Sequence, residues 1–144
     1  MKDETLNKAK VLVKKLDKVI ANTNKKIKLH SSKAQGFLEQ KNAVHAHNIK
    51  IKGFIGKVKP EHVKKIHAHS SKLTQVQQNL HQHHASYTDL AEKYKKHLAV
   101  FKSAKTNLLR QMKNVTAGKY SAAELKKFDA WLDEALTKLS AIPD

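Results

Sequence analysis

Apolar residues recur every three or four positions along this chain, keep a seven-residue beat for about fifty residues, pause at Lys59-Pro60, and resume for about fifty more. In the first stretch the core positions (a, then d) are Leu6, Ala9, Val13, Leu16, Ile20, Thr23, Ile27, His30, Ala34, Phe37, Lys41, Val44, Asn48, Ile51 and Ile55. In the second they are Val63, Ile66, Ser70, Leu73, Gln77, Leu80, His84, Tyr87, Ala91, Tyr94, Leu98, Phe101, Lys105, Leu108, Met112 and Val115. A stripe with this average spacing of about 3.5 residues needs a partner helix along its whole length. The pattern therefore predicts an all-α fold built on a long, coiled-coil-like antiparallel helical hairpin.

Antiparallel pairing sets each a position of one helix beside a d position of the other, so the two stripes predict a register. If paired residue numbers sum to 121, Ile55 meets Ile66 beside the turn, Phe37 meets His84, Ala34 meets Tyr87, His30 meets Ala91 and Ile27 meets Tyr94. Further out, Thr23 faces Leu98, Ile20 faces Phe101, Val13 faces Leu108, Ala9 faces Met112 and Leu6 faces Val115. Large residues meet small ones repeatedly, as close packing requires. The layers Asn48 on Leu73, Val44 on Gln77 and Lys41 on Leu80 bring polar groups into the seam, where desolvation is expected to weaken it.

Few residues interrupt a helix here. The four glycines and two prolines are sparse, and Lys, Ala, Leu and Gln are plentiful. Asp3 and Glu4 suit a helix N-terminus, so helix one is expected over about 3–53. Ser31-Ser32 before Gly36 offers an alternative start, but the seven-residue phase runs through Ala34 and Phe37 without correction, which favours continuity. Gly53, Gly56 and Pro60 mark the turn, and helix two is expected over about 60–117, ending at Ala117-Gly118. Ser86 to Thr88 is a weaker interruption. Ser121 with Glu124 forms a capping box, and Tyr120 with Leu125 a hydrophobic staple, opening a third helix over about 121–141 before Pro143. Its stripe of Leu125, Phe128, Trp131, Leu132, Ala135, Leu136 and Leu139 needs burial and is expected to lie on the open end of the hairpin, beside Leu6 to Ile20 and Leu98 to Val115. The whole of 1–144 then makes one helical unit.

Charge points to partners. The chain carries a net +17, and residues 18–119 hold 21 Lys plus Arg against four acids. Such a surface attracts polyanions, among them nucleic acid. All the basic residues except Arg110 are lysines, which act as point charges and lack the planar fork that reads guanine, so nonspecific backbone attraction is the expectation. The candidate polyanion-binding residues are Lys25, Lys26, Lys28, Lys57, Lys59, Lys64, Lys65, Lys93, Lys95 and Lys96. The alternative is a coiled-coil adaptor, chaperone or assembly subunit that pairs with a helical protein partner, the charge then serving solubility. Pairing of two thin arms into a homodimer is open to either.

Ten histidines include the doublets His45/His47 and His67/His69 and the run His81 to His84. Only His81 with His84 has the spacing of helical metal ligands, and with no carboxylate nearby they are weak candidates. No cysteine, phosphate loop or nucleophile-base arrangement is present, so neither a cofactor nor an enzymatic activity is expected. No run approaches the roughly twenty apolar residues of a membrane span, and MKDETLNKAK lacks the apolar segment of a secretory signal. A cytoplasmic protein is expected. Segment 18–33 recurs in part at 57–72, with nine of sixteen positions matching, but the offset of 39 is no multiple of seven and argues against a true repeat.

Overall fold

The structure, a computed structural model, describes residues 1–142, so the stop expected at Pro143 lies outside the described residues. The elements are α1 (Lys2–Lys52), a single 3-10 turn (Ile55–Lys57), α2 (Pro60–Thr116) and α3 (Ala122–Ser140), with no strand among the described residues. α1 is continuous through Ser31-Ser32 and Gly36, and α2 through Ser86 to Thr88. None of the seam positions predicted from the sequence is exposed. The single phase explains the continuity, since a break would have rotated the following stripe away from its partner.

Each terminus has a local cause. Asp3 and Glu4 occupy the first turn of α1, and Lys50 and Lys52 the last, complementing the helix dipole at both ends. Pro60 opens α2, with Glu61 in its first turn. At the far end Gly118 takes the left-handed conformation, φ 71°. Its N–H bonds the Val115 carbonyl at 3.1 Å, and the Lys119 N–H bonds the Asn114 carbonyl at 3.0 Å, a Schellman closure. The capping box is formed: the Glu124 N–H donates to Ser121 Oγ at 3.2 Å and the Ser121 N–H to Glu124 Oε1 at 3.3 Å.

The chain falls into two compact units, Met1–Lys26 together with the chain from Tyr94 onward, and Ile27–Lys93. The first has three helices. Ala9, Leu12 and Leu16 of α1, Leu108 and Val115 of α2, and Phe128 and Leu132 of α3 form its buried cluster, flanked by Leu6, Val13, Phe101, Met112, Leu125 and Leu136. Each fully buried Leu there contributes about 1.5–3 kcal/mol relative to exposure. α3 docks on the side of α1 that carries Thr5 and Leu12, both g positions outside the a/d seam and both fully buried. The Thr5 hydroxyl donates to Asp129 Oδ1 at 2.9 Å, and Lys8 Nζ lies 3.0 Å from carboxylate oxygens of both Asp129 and Asp133. These contacts shift both groups. Hydrogen bonds to Asp133 and then Asp129 raise the Lys8 pKa above the ordinary lysine value, while bonds from Lys8 and then Thr5 lower that of Asp129. Lys105, a charge inside the seam, pairs with Asp17.

The second unit, Ile27–Lys93, is a two-helix hairpin of different character. Its buried residues are small or polar: Ala34, Asn48, Ser70 and Ala91. The register is close to the expected one. The pairs Phe37 with His83, Lys33 with Tyr87, Lys41 with His81 and His45 with Gln77 each sum to within one of 121, as do Lys26 with Tyr94 and Asp17 with Lys105 in the first unit. The layers differ in detail. Phe37 stacks on His83 and Tyr87, at 5.0 and 5.6 Å between centroids, and His30 stacks on Tyr87 at 5.8 Å. His84 instead turns to the backbone, its Nδ1 lying 2.8 Å from the Ala34 carbonyl oxygen. A carbonyl only accepts, so Nδ1 carries the proton in this bond.

The polar middle is better compensated than its sequence suggests. Ser70 Oγ donates to Asn48 Oδ1 at 2.7 Å, and Asn48 Nδ2 reaches Thr74 Oγ1 at 3.3 Å and Gln77 Oε1 at 3.4 Å. Gln77 Nε2 in turn lies 3.0 Å from His45 Nδ1. Polar side chains from both helices thus satisfy one another, which offsets the desolvation expected to weaken these layers. The partial repeat has no structural counterpart here, because Ser70 is buried whereas Ser31, its match, is exposed.

Candidate polyanion-binding surface

Lysine is the residue type this chain spends on its surface, and a helical hairpin concentrates it where the chain reverses. Residues 50–65 contain Lys50, Lys52, Lys57, Lys59, Lys64 and Lys65, all exposed, against the single carboxylate Glu61. Gly53 ends the α1 helix by donating its N–H to the Ile49 carbonyl, Phe54 and Lys57 close the 3-10 turn, and Pro60 restarts the helix. From Pro60 to Lys65 the chain rises only about 8 Å at 1.5 Å per residue. The six ammonium groups are therefore held at one end of the Ile27–Lys93 unit. Glu61 faces His62, 3.9 Å away. Phe54 stands among these lysines with 48% of its surface exposed.

The sequence-derived candidates do not form one site. Lys57, Lys59, Lys64 and Lys65 belong to the turn cluster, with Lys28 and Lys93 exposed elsewhere in the same unit. Lys25, Lys26, Lys95 and Lys96 belong to the other unit, where Lys26 Nζ lies over the Tyr94 ring, 5.4 Å from its centroid. Lys50 and Lys52 are not among those candidates. The signal that marks them is density along the chain: six lysines in sixteen residues around a Gly-Pro turn. Arg110 donates to Asn107 Oδ1 at 2.6 Å, which occupies part of its fork.

Each of the two weak metal candidates has its Nδ1 engaged by a different partner. His81 Nδ1 accepts from Lys41 Nζ at 3.0 Å, while His84 Nδ1 is held by the Ala34 carbonyl. Among the described residues no cluster of three or more metal-ligating side chains occurs, and no helix is long and apolar enough to cross a membrane. What the turn can do chemically is present a dense positive field and an aromatic ring to a flexible or extended anion. The chain matches no protein-family model, no curated protein and no solved structure.

Proposed function

We propose that this protein is a non-enzymatic, strongly basic helical protein that binds nucleic acid nonspecifically, with the hairpin turn as its principal contact. The observation that carries this reading is the cluster of six exposed lysines within residues 50–65, opposed by one carboxylate and grouped around the exposed Phe54. Lysine neutralises phosphate as a point charge and displaces condensed counterions, so affinity depends on salt and little on sequence. Phe54 offers a π-face for an unstacked base, which would favour single strands. The absence of cysteine fits a cytoplasmic setting.

The test is a salt titration with labelled oligonucleotides of unrelated sequence, on the parent and on a variant with Lys57, Lys59, Lys64 and Lys65 changed to Gln. The slope of log affinity against log salt should fall by about 0.7–0.9 for each phosphate that is no longer neutralised. An unchanged slope in the fourfold variant rejects the turn as the binding surface. Specific observations also favour an adaptor role: the Ile27–Lys93 unit leaves Leu29, Ile49 and Val76 exposed and buries no large apolar side chain completely. A helical protein partner, or a second copy of the chain, would cover them. Such a complex would survive high salt, which separates it from nucleic-acid binding.

A further inference from the structure

Two exposed histidines meet across the Ile27–Lys93 hairpin. His47 of α1 and His69 of α2 have ring centroids 6.0 Å apart and ring planes at 87°. Each occupies a g position, one residue before the a positions Asn48 and Ser70, and in an antiparallel pair the g rows of the two helices flank the seam on the same side. The bond from Ser70 Oγ to Asn48 Oδ1, at 2.7 Å, closes the layer next to them. Both residues of that layer are buried, so the backbones that carry the two imidazoles are held in place while the exposed rings can rotate. We infer that His47 and His69 form a two-histidine site for a borderline divalent metal ion, Cu²⁺ ahead of Ni²⁺ and Zn²⁺, which staples α1 to α2 beside the Asn48–Ser70 layer. This site does not depend on nucleic-acid binding at the turn.

The separation suits a shared ion. A histidine nitrogen sits about 2.0–2.1 Å from such a metal, and adding roughly 1.1 Å from that nitrogen to the ring centre puts two rings on one ion about 5–6.4 Å apart, from tetrahedral to linear bond angles. The observed 6.0 Å falls within that range. Nearly perpendicular planes are no obstacle, because coordination requires the ion to lie in the plane of each ring, and two such planes share a line. The partner across the seam is what makes the site: His45 and His47 point about 200° apart around their own helix and cannot chelate alone. The surroundings select the class of ion. Residues 43–51 and 65–73, about one turn to either side of each histidine, contain no carboxylate and include Lys50, Lys65 and Lys72. Mg²⁺ and Ca²⁺ require oxygen ligands that these stretches do not supply as carboxylates. Neutral imidazole instead suits copper, nickel and zinc, and the order of affinity peaks at Cu²⁺. Water completes the coordination.

Two titrations of the full chain near pH 8, where imidazole is mostly neutral, test this. With Zn²⁺, the ring resonances of His47 and His69 should shift along one saturation curve that levels at one ion per chain. With Cu²⁺, calorimetry should show the tightest site weakened at least about tenfold in His47→Gln and in His69→Gln. The double variant should lose no more than either single one, because removing one ligand already breaks a shared site. His67→Gln, on the same helix but turned away from His69, should leave that site unchanged. Circular dichroism without metal confirms that each variant is folded, and Zn²⁺ should raise the thermal midpoint of the parent but not of the variants at positions 47 and 69. Three results overturn the inference: parent-like Cu²⁺ affinity in a folded His47→Gln or His69→Gln; losses that simply add in the double variant; or ring resonances of His81 and His84 that shift ahead of those of His47 and His69.

Discussion

Asn48 is the buried polar residue on which the Ile27–Lys93 hairpin turns, and changing it separates two effects of opposite sign. It occupies an a position, 4% exposed, and accepts from Ser70 Oγ at 2.7 Å while its amide reaches Thr74 and Gln77 at 3.3 and 3.4 Å. Only the first of these has the length of a strong hydrogen bond. Asn48→Ala removes the acceptor and leaves the Ser70 hydroxyl, itself 5% exposed, without its partner, which costs about 1–3 kcal/mol. Asn48→Leu incurs the same cost but adds apolar burial worth about 1.5–3 kcal/mol, so its net effect should be close to zero. Removing both partners in Asn48→Leu with Ser70→Ala should then be more stable than Asn48→Leu alone. Urea unfolding followed by circular dichroism measures all four corners of this cycle. A coupling of about 0.5–3 kcal/mol between positions 48 and 70 is expected for residues in direct contact. Additivity within about 0.3 kcal/mol would refute the bond as a stabilising contact. A polar a position also specifies alignment, so the leucine variant should show broader amide resonances from slippage between registers.

The other predictions address single sites. Leu12→Ala, at a fully buried g position under α3, should destabilise by about 2–5 kcal/mol, whereas a small effect in thermal unfolding would show that α3 does not dock there. Gly36→Ala should stabilise by about 0.4–1 kcal/mol, because a Cβ there meets nothing within 4 Å in a regular helix; Gly118→Ala, at φ 71°, should destabilise by about 1–2 kcal/mol, and opposite shifts in urea midpoint check both. Asp129 has a folded pKa below its ordinary 3.8, so the stability it contributes is full above that value and is lost as pH falls through the lower folded value. The gap in thermal midpoint between the parent and Asp129→Asn should therefore be constant near neutral pH and close below about pH 4, and a gap that persists to pH 2 would contradict the assignment. Lys8 behaves oppositely, its contribution being full below 10.5 and lost as pH rises through its raised folded value.

The seam is legible in the sequence because one periodicity settles both helix and register: a helix whose stripe keeps phase through Gly36 has only one way to face its partner. The third helix is legible for a different reason, since Ser121, Glu124, Tyr120 and Leu125 act over a single turn and need no tertiary information. Thr5 and Leu12 escape a sequence reading because an a/d pattern describes two helices, and a third recruits the neighbouring g positions only after docking. Asn48 and Gln77 look like a weakness for a related reason. Their partners lie across the seam, 22 to 32 residues away along the chain, and each polar group lacks a partner until the register is applied.

The two units divide stability and exposure between them. Met1–Lys26 with the chain from Tyr94 onward holds the large buried residues, three helices and the Lys8–Asp129 contact. Ile27–Lys93 holds its helices together with alanines, stacked rings and a polar network, and carries eleven lysines, nine histidines and four acids. Small buried residues let two helices approach closely without a third, which leaves both outer faces and the turn open to solvent. Charge on those faces destabilises compact packing by self-repulsion, and a bound polyanion removes that penalty. Binding at the turn should therefore stabilise the hairpin by mass action in proportion to affinity. If affinity instead follows the ten lysines named from the sequence equally, irrespective of the turn, the field of the whole chain rather than the Lys50–Lys65 cluster governs binding.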